Sequence, residues 1–133
     1  MDPEIRIPIE TDADIVTARQ AGRQFAAQLD LTPGDLTFIA TAISEVARNI
    51  VEYASPGDVT VRLVEKGGRR GVTVVAQDAG PGIADVTMAL QDGYSTKGSL
   101  GLGLPGARRL MDEFEIFTEA GKGTRVTMWK WAR

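Results

Sequence analysis

Residues 59–78, "VTVRLVEKGGRRGVTVVAQD", constrain the fold more than any other part of this chain. Two runs of alternating apolar and polar residues, "VTVRLVEK" (59–66) and "GVTVVAQD" (71–78), flank "GGRR" (67–70). Alternation of period two sends every second side chain to one face, and "GGRR" between two such runs reads as a hairpin turn. The expectation is an antiparallel sheet with one apolar face, which another layer must cover.

The cover is written upstream. "TDAD" (11–14) suits a helix start, and Ile15, Ala18, Gly22, Phe25, Ala26 and Leu29 then recur at helical spacing to about residue 29. In "DLTPGD", Thr32 is an N-cap and Pro33 a first helical residue. Leu36, Ile39, Ala40, Ile43, Val46, Ala47, Ile50 and Val51 form one apolar stripe that ends near Ala54, before "SPGD". "IRIPI" (5–9) reads as a short strand, and Pro8 suits a sheet edge. Downstream, the pattern predicts a short helix over 84–91, a glycine-rich stretch from Asp92 to Gly106 and a helix over about 107–112. "EFEIFTEAGKGTRVTMWKWA" then closes the order with two strands. This is an α+β chain of two layers, with helices on one face of a mixed, mostly antiparallel sheet. With 133 residues and neither repeat nor linker, a single domain over 1–133 is expected.

Composition removes several chemistries. The chain has no Cys and no His, so thiolate metal sites, cysteine nucleophiles, a Ser-His-Asp triad and a phosphohistidine intermediate are excluded. Acid–base work falls to Asp, Glu, Lys or Tyr. A net charge of −3 gives no electrostatic reason to expect nucleic acid. No apolar run approaches a membrane span and no signal-peptide pattern opens the chain, so a cytoplasmic protein without membrane contact is expected.

"GLGLPG" (101–106) is a literal G-x-G-x-x-G. A dinucleotide finger needs a strand just before it, and "DGYSTKGSL" is poor strand material. No G-x-x-x-x-G-K-[ST] occurs, which excludes a P-loop. Two readings stay open: a plain surface loop, or a mobile lid whose backbone N–H groups approach phosphates. In the second, the following helix aims its positive end at the same anion.

Two further elements bear on that choice. Glu45 and Asn49 in "ISEVARNIVEYA" are four apart and share a helix face beside the apolar stripe. They are either an exposed polar pair or a working one. In the working case the amide oxygen is a hard ligand for Mg²⁺, and the carboxylate one turn away handles a nucleophile's proton. Asp78 in "VAQDAGPGI" continues the parity of Val72, Val74 and Ala76, so it points toward the buried layer where the chain turns through Ala79, Gly80, Pro81 and Gly82. It either caps that turn or accepts an exocyclic amine such as N6 of adenine.

The order of these elements, with Thr124 in "GKGTRV" after them, resembles the GHKL (Bergerat-fold) ATPase and kinase superfamily. "SEVARN" is similar to its N box, "DAGPG" to its first glycine box and "GLGLPG" to its second. The segments "AISEVARNI", "DGYSTKGSLGLGLPGARRLMDEF" and "TMWKWAR" further resemble the serine/threonine kinases of the bacterial stressosome pathway.

The resemblance implies a Bergerat fold, ATP and Mg²⁺ as cofactors, Glu45 as catalytic base, Asn49 as metal ligand and Asp78 as adenine acceptor. Gly80 and Gly82 would line the base pocket. Gly101, Gly103 and Gly106 would surround the phosphates, and Thr124 would supply the later threonine element. Ahead of them, Gly98 is a further candidate for the phosphates, and Lys97 meets the phosphates or a partner, or serves as a lid-surface charge. It also implies STAS-domain protein substrates and a PP2C-type phosphatase as partners. The competing reading is a nucleotide-gated binding protein of the anti-sigma type. Arg108 and Arg109 serve phosphates, a partner or a solvated face. Arg19 and Arg23 form a docking surface or a salt-bridged one. Trp129 and Trp131 share one face of the last strand, for edge packing or for an interface.

Overall fold

The computed structural model describes residues 3–80, 103–119 and 121–132. Among them, β1 (Glu4–Ile9) is followed by α1 (Asp12–Ala26) and α2 (Pro33–Tyr53), then β2 (Gly57–Lys66) and β3 (Arg69–Asp78). The chain continues with α3 (Gly103–Leu110), β4 (Glu113–Glu119) and β5 (Gly123–Trp131). The strands form one sheet in the order β1-β2-β3-β5-β4, and every described pairing is antiparallel. The expected α+β architecture is the observed one.

The hairpin is tighter than "GGRR" suggests. Lys66 pairs directly with Arg69, so only Gly67 and Gly68 make the turn, with φ of +61° and +80°. Positive φ at both central residues matches the right-handed twist of the flanking strands and excludes most other residues. Arg69 and Arg70 therefore belong to β3.

One face of the sheet is apolar. Ile7, Ile9, Val59, Val61, Val72, Val74, Ala76, Val126 and Met128 join the buried helix residues in a single core. Each fully buried Val or Ile contributes roughly 1.5–3 kcal/mol relative to exposure. Pro8 lies on β1, at the sheet edge. On the opposite face Trp131 is buried, stacked 4.7 Å beneath the Arg69 guanidinium, and its Nε1–H donates to Glu113.

Helix ends follow the local chemistry. The Thr32 hydroxyl accepts the Asp35 N–H at 3.0 Å with Pro33 as first residue. Asp14 reaches back to accept the N–H groups of Glu10 and Thr11, which sets the start of α1. That helix ends at Ala26, before the expected residue 29, yet Leu29 still packs into the core.

The third helix starts four residues earlier than its predicted beginning, at Gly103. Pro105 sits in its first turn, where its missing N–H has no intrahelical acceptor to lose and its φ is already helical. Leu104, Ala107 and Met111 anchor the same side to the core. Gly103 and Gly106 are thus helical residues, where the sequence had placed both in a loop.

Candidate functional site

Alpha-helix α2 lies at the centre of the helical layer, in contact with α1, with α3 and with the sheet. Its middle is consequently buried beyond the single stripe that periodicity marks. Ala42, Ile43, Ser44, Glu45, Val46 and Ala47 are all buried. Glu45 is only 6% exposed, so it is not half of an exposed polar pair. A buried carboxylate is costly without partners. Arg48, one turn on, brings Nη1 to 3.4 Å from Glu45 Oε1 while keeping about a third of its own side chain in solvent. Asn49 is half-buried beside them. Arg48 is the site residue that sequence reasoning passed over. The signal was present, since an acid and a base three apart on a helix are neighbours.

Asp78 ends β3 with the predicted parity, half-buried on the helix-facing side. Its Oδ1 accepts two backbone N–H groups, from Gly80 at 2.9 Å and from Thr124 at 3.2 Å. Thr124 is itself buried, and its hydroxyl lies 3.0 Å from that of Thr118 across the last hairpin. At Gly123, with φ +117°, a Cβ would collide with the Asp78 carbonyl oxygen and with Ala79 Cα, so only glycine fits. Two segments far apart in sequence therefore fix one carboxylate. With Oδ1 so engaged, Oδ2 is the oxygen left to face an external donor.

The last turns of α2 close the same corner. A Cβ on Gly80 would lie 2.7 Å from that of Ala54. One on Gly57 would lie 2.9 Å from Ile50 Cγ2 and 3.2 Å from Asp78 Cβ. Ile50, next to Asn49, thus abuts the end of β3 from which Asp78 projects. Hydrogen bonds bring Asp78, Gly80 and Thr124 together, and α2 packs on this corner through Ile50 and Ala54; Asn49 precedes Ile50 in that helix, and Glu45 lies one turn earlier. Gly103 opens α3, and Gly106 is buried within it against the helical layer. Gly82, Lys97, Gly98 and Gly101, and the helix expected over 84–91, lie outside the described residues.

Other candidate positions resolve more simply. Arg108 and Arg109 are exposed in the last turn of α3. Arg23 donates to the Thr37 hydroxyl at 3.3 Å, joining α1 to α2, and Arg19 is exposed. A cavity of about 430 Å³ lined by Arg6, Asp58, Gln77 and Asp78 opens at the β1–β2–β3 end of the sheet; Glu45 and Asn49 do not line it.

The corner fits an adenine nucleotide. A carboxylate pinned at one oxygen offers the other to an amine, and helix α3 begins with glycine backbone. The amide of Asn49 and the buried carboxylate of Glu45 lie on α2, the helix that packs on this corner. A half-buried amide oxygen also suits Mg²⁺, which takes few protein ligands and fills its shell with water and phosphate oxygens.

Comparison with known proteins agrees. Residues 9–130 match the family described as the histidine kinase-like ATPase domain. The chain is 46% identical over 133 residues, all of both chains, to the serine/threonine-protein kinase RsbT of Bacillus subtilis (strain 168). It is 33% identical over 120 residues to the anti-sigma F factor of Thermoanaerobacter sp. (strain X514), covering 86% of this chain and 82% of that protein. The crystal structure of the RsbU and RsbW domains of a Mycobacterium tuberculosis protein superposes with a TM-score of 0.64 at 26% identity. That match covers 98% of this chain, which spans about a third (33%) of the mycobacterial chain.

Proposed function

The chain belongs to the histidine kinase-like ATPase family and is a kinase, and from that premise we propose that it transfers the γ-phosphoryl group of ATP to a Ser or Thr hydroxyl of a partner protein. The observation that carries this reading is the burial of Glu45 one turn before Asn49, on the helix whose Ile50 and Ala54 pack against the corner where Asp78 is held by Gly80 and Thr124.

The residues divide the work. Asp78 Oδ2 accepts the adenine amine while its backbone bonds hold the carboxylate still. Gly80 lets the base approach the chain. The backbone of Gly103 at the start of α3 faces the phosphates, where the helix dipole favours negative charge; Gly101 and Gly106 are assigned to the same phosphates on the resemblance of "GLGLPG" to the second glycine box. Lys97 and Gly98, which precede them in the sequence, are assigned to the phosphates on the same ground. Asn49 would hold Mg²⁺, which supplies charge neutralisation at the β- and γ-phosphates.

Glu45 accepts the proton of the incoming hydroxyl as its oxygen bonds to phosphorus and the bond to ADP breaks. Arg48 holds that carboxylate in one orientation. Positioning dominates phosphoryl transfer, so accurate docking of the hydroxyl is part of catalysis.

The partners we propose are a STAS-domain substrate and a PP2C-type phosphatase that the chain activates when released. The resemblance to stressosome kinases and the RsbT relative support this, as does a domain of this fold accompanying an RsbU domain in the mycobacterial protein. A second reading is favoured by the anti-sigma F factors among the relatives: ATP sets the shape of a capturing surface and transfer is secondary.

One experiment separates the two. The protein is incubated with labelled ATP, Mg²⁺ and candidate STAS proteins, alongside Glu45→Gln. The kinase reading expects label on the partner, its loss in the variant, and nucleotide affinity within about threefold of wild type. Undiminished transfer by Glu45→Gln rejects the base assignment. Unaltered partner capture and output by that variant selects the binding switch.

A further inference from the structure

On β5 the side chains of Val126 and Met128 enter the core, and Lys130 continues their parity. An ammonium group therefore points into the helical layer of an otherwise apolar row, with Lys130 only 5% exposed. Its Nζ donates to the carbonyl of Leu110, the last residue of α3, at 2.8 Å. It lies 3.6 Å from Asp112, just beyond α3, and 3.8 Å from Asp35 in the first turn of α2. The Phe38 ring covers it at 5.1 Å. Asp112 is bound in turn: it accepts the Trp131 N–H at 2.8 Å and donates its own N–H to the Trp129 carbonyl at 2.9 Å.

A buried lysine is expensive, and an apolar side chain of similar length would fill the same place at lower cost. The cation does two things that Met or Leu could not. It satisfies a carbonyl that α3 leaves without an intrahelical donor, and it sets positive charge at the negative end of that helix. The other end of the same helix begins at Gly103, in the glycine box. Eight residues at 1.5 Å per residue put the two ends about 12 Å apart. Asp35 belongs to the helix that carries Glu45 and Asn49. One side chain thus joins the helix of the glycine box to the helix of the carboxylate and amide, with β5 as the base.

We propose that Lys130 is a positioning residue for nucleotide binding: by pinning the C-terminal end of α3 to α2 and β5, it sets where the glycine-box end of α3 stands relative to Glu45 and Asn49. The nucleotide part of this rests on the ATP site proposed above; the pinning of α3 does not.

The test uses the full chain and two variants. Lys130→Met leaves Asp35 and Asp112 beside an apolar side chain, so Lys130→Met/Asp35→Asn is measured with it in case the single variant fails to fold. Backbone hydrogen exchange is followed for α3, α1 and β2, and affinity is titrated with a fluorescent ATP analogue and Mg²⁺. In a folded variant, α3 amides should lose protection roughly tenfold or more while α1 and β2 keep theirs. The dissociation constant should rise roughly three- to thirty-fold. Unaltered affinity in a folded variant overturns the proposal, whatever the exchange shows. Protection lost equally in α1, β2 and α3 also overturns it, because Lys130 would then be a general stabiliser. If the wild type binds no adenine nucleotide, the ATP site itself is rejected, and the pinning of α3 is decided by the exchange pattern alone.

Discussion

Asp78 and Thr124 lie 46 residues apart and share a hydrogen bond, in which the Thr124 N–H donates to Asp78 Oδ1 at 3.2 Å. The same oxygen accepts from Gly80, so the carboxylate is oriented by backbone on both sides before any ligand arrives. This separates the architectural role of Asp78 from its proposed recognition role, one oxygen for each.

Asp78→Asn should expose that division. The amide oxygen can still accept from Gly80 and Thr124, but the remaining group becomes an N–H₂ donor facing the adenine amine. Thermal stability should stay near wild type while ATP affinity falls roughly tenfold to a hundredfold, the worth of a hydrogen bond to a charged group. Calorimetric titration reads the affinity, and equal affinities would remove Asp78 from base recognition.

Gly123→Ala should cost both stability and binding. At φ +117° any Cβ is strained, and here it would also meet the Asp78 carbonyl. We expect a loss of about 2–4 kcal/mol in denaturant unfolding. Gly121→Ala is the control: its φ is +77° but nothing lies within 4 Å of the added carbon, so it should lose only about 1 kcal/mol. Equal losses at the two positions would show that packing on Asp78 is irrelevant.

For Asn49→Ala, the Mg²⁺ concentration giving half-maximal phosphoryl transfer should rise on the order of tenfold. Binding of ATP without metal should be little altered. A metal requirement identical to wild type would place the ion elsewhere.

Asp14 ties stability to pH. Its carboxylate accepts N–H bonds from Glu10 at 2.8 Å and Thr11 at 3.1 Å, and these, Glu10 first, hold its pKa below the ordinary 3.8. A lowered folded-state value means that ionisation stabilises the fold. That contribution is complete above the unfolded value and disappears as pH falls through the folded one. Asp14→Asn should therefore melt a few degrees below wild type at neutral pH, and the gap should narrow in acid. A gap of constant size down the acid range would contradict the assignment.

Much of this was legible in residues 5–78. Helix α2 runs from the predicted Pro33 to Tyr53, one residue before Ala54, because a capped start and an apolar period of 3.6 are local properties. The inward aim of Asp78 followed from alternation alone. The burial of Glu45 did not: periodicity marks one stripe, and only the packing of α1, α3 and the sheet on α2 shows how many sides are covered. The start of α3 was misplaced for a similar reason. Glycines read locally as loop, whereas Leu104, Ala107 and Met111 gain enough from the core to carry the helix back to Gly103.

The amino-acid order by itself determined the α+β class, the helix caps, the presence of the β2–β3 hairpin and the motifs that mark the family, since all depend on neighbours a few residues apart. Tertiary structure alone decided that β5 inserts between β3 and β4, that Thr124 bonds Asp78, and that Lys130 joins α2 to α3. Those contacts link residues 20 to 95 positions apart. Their geometry is set by how whole layers pack, and no local period encodes it.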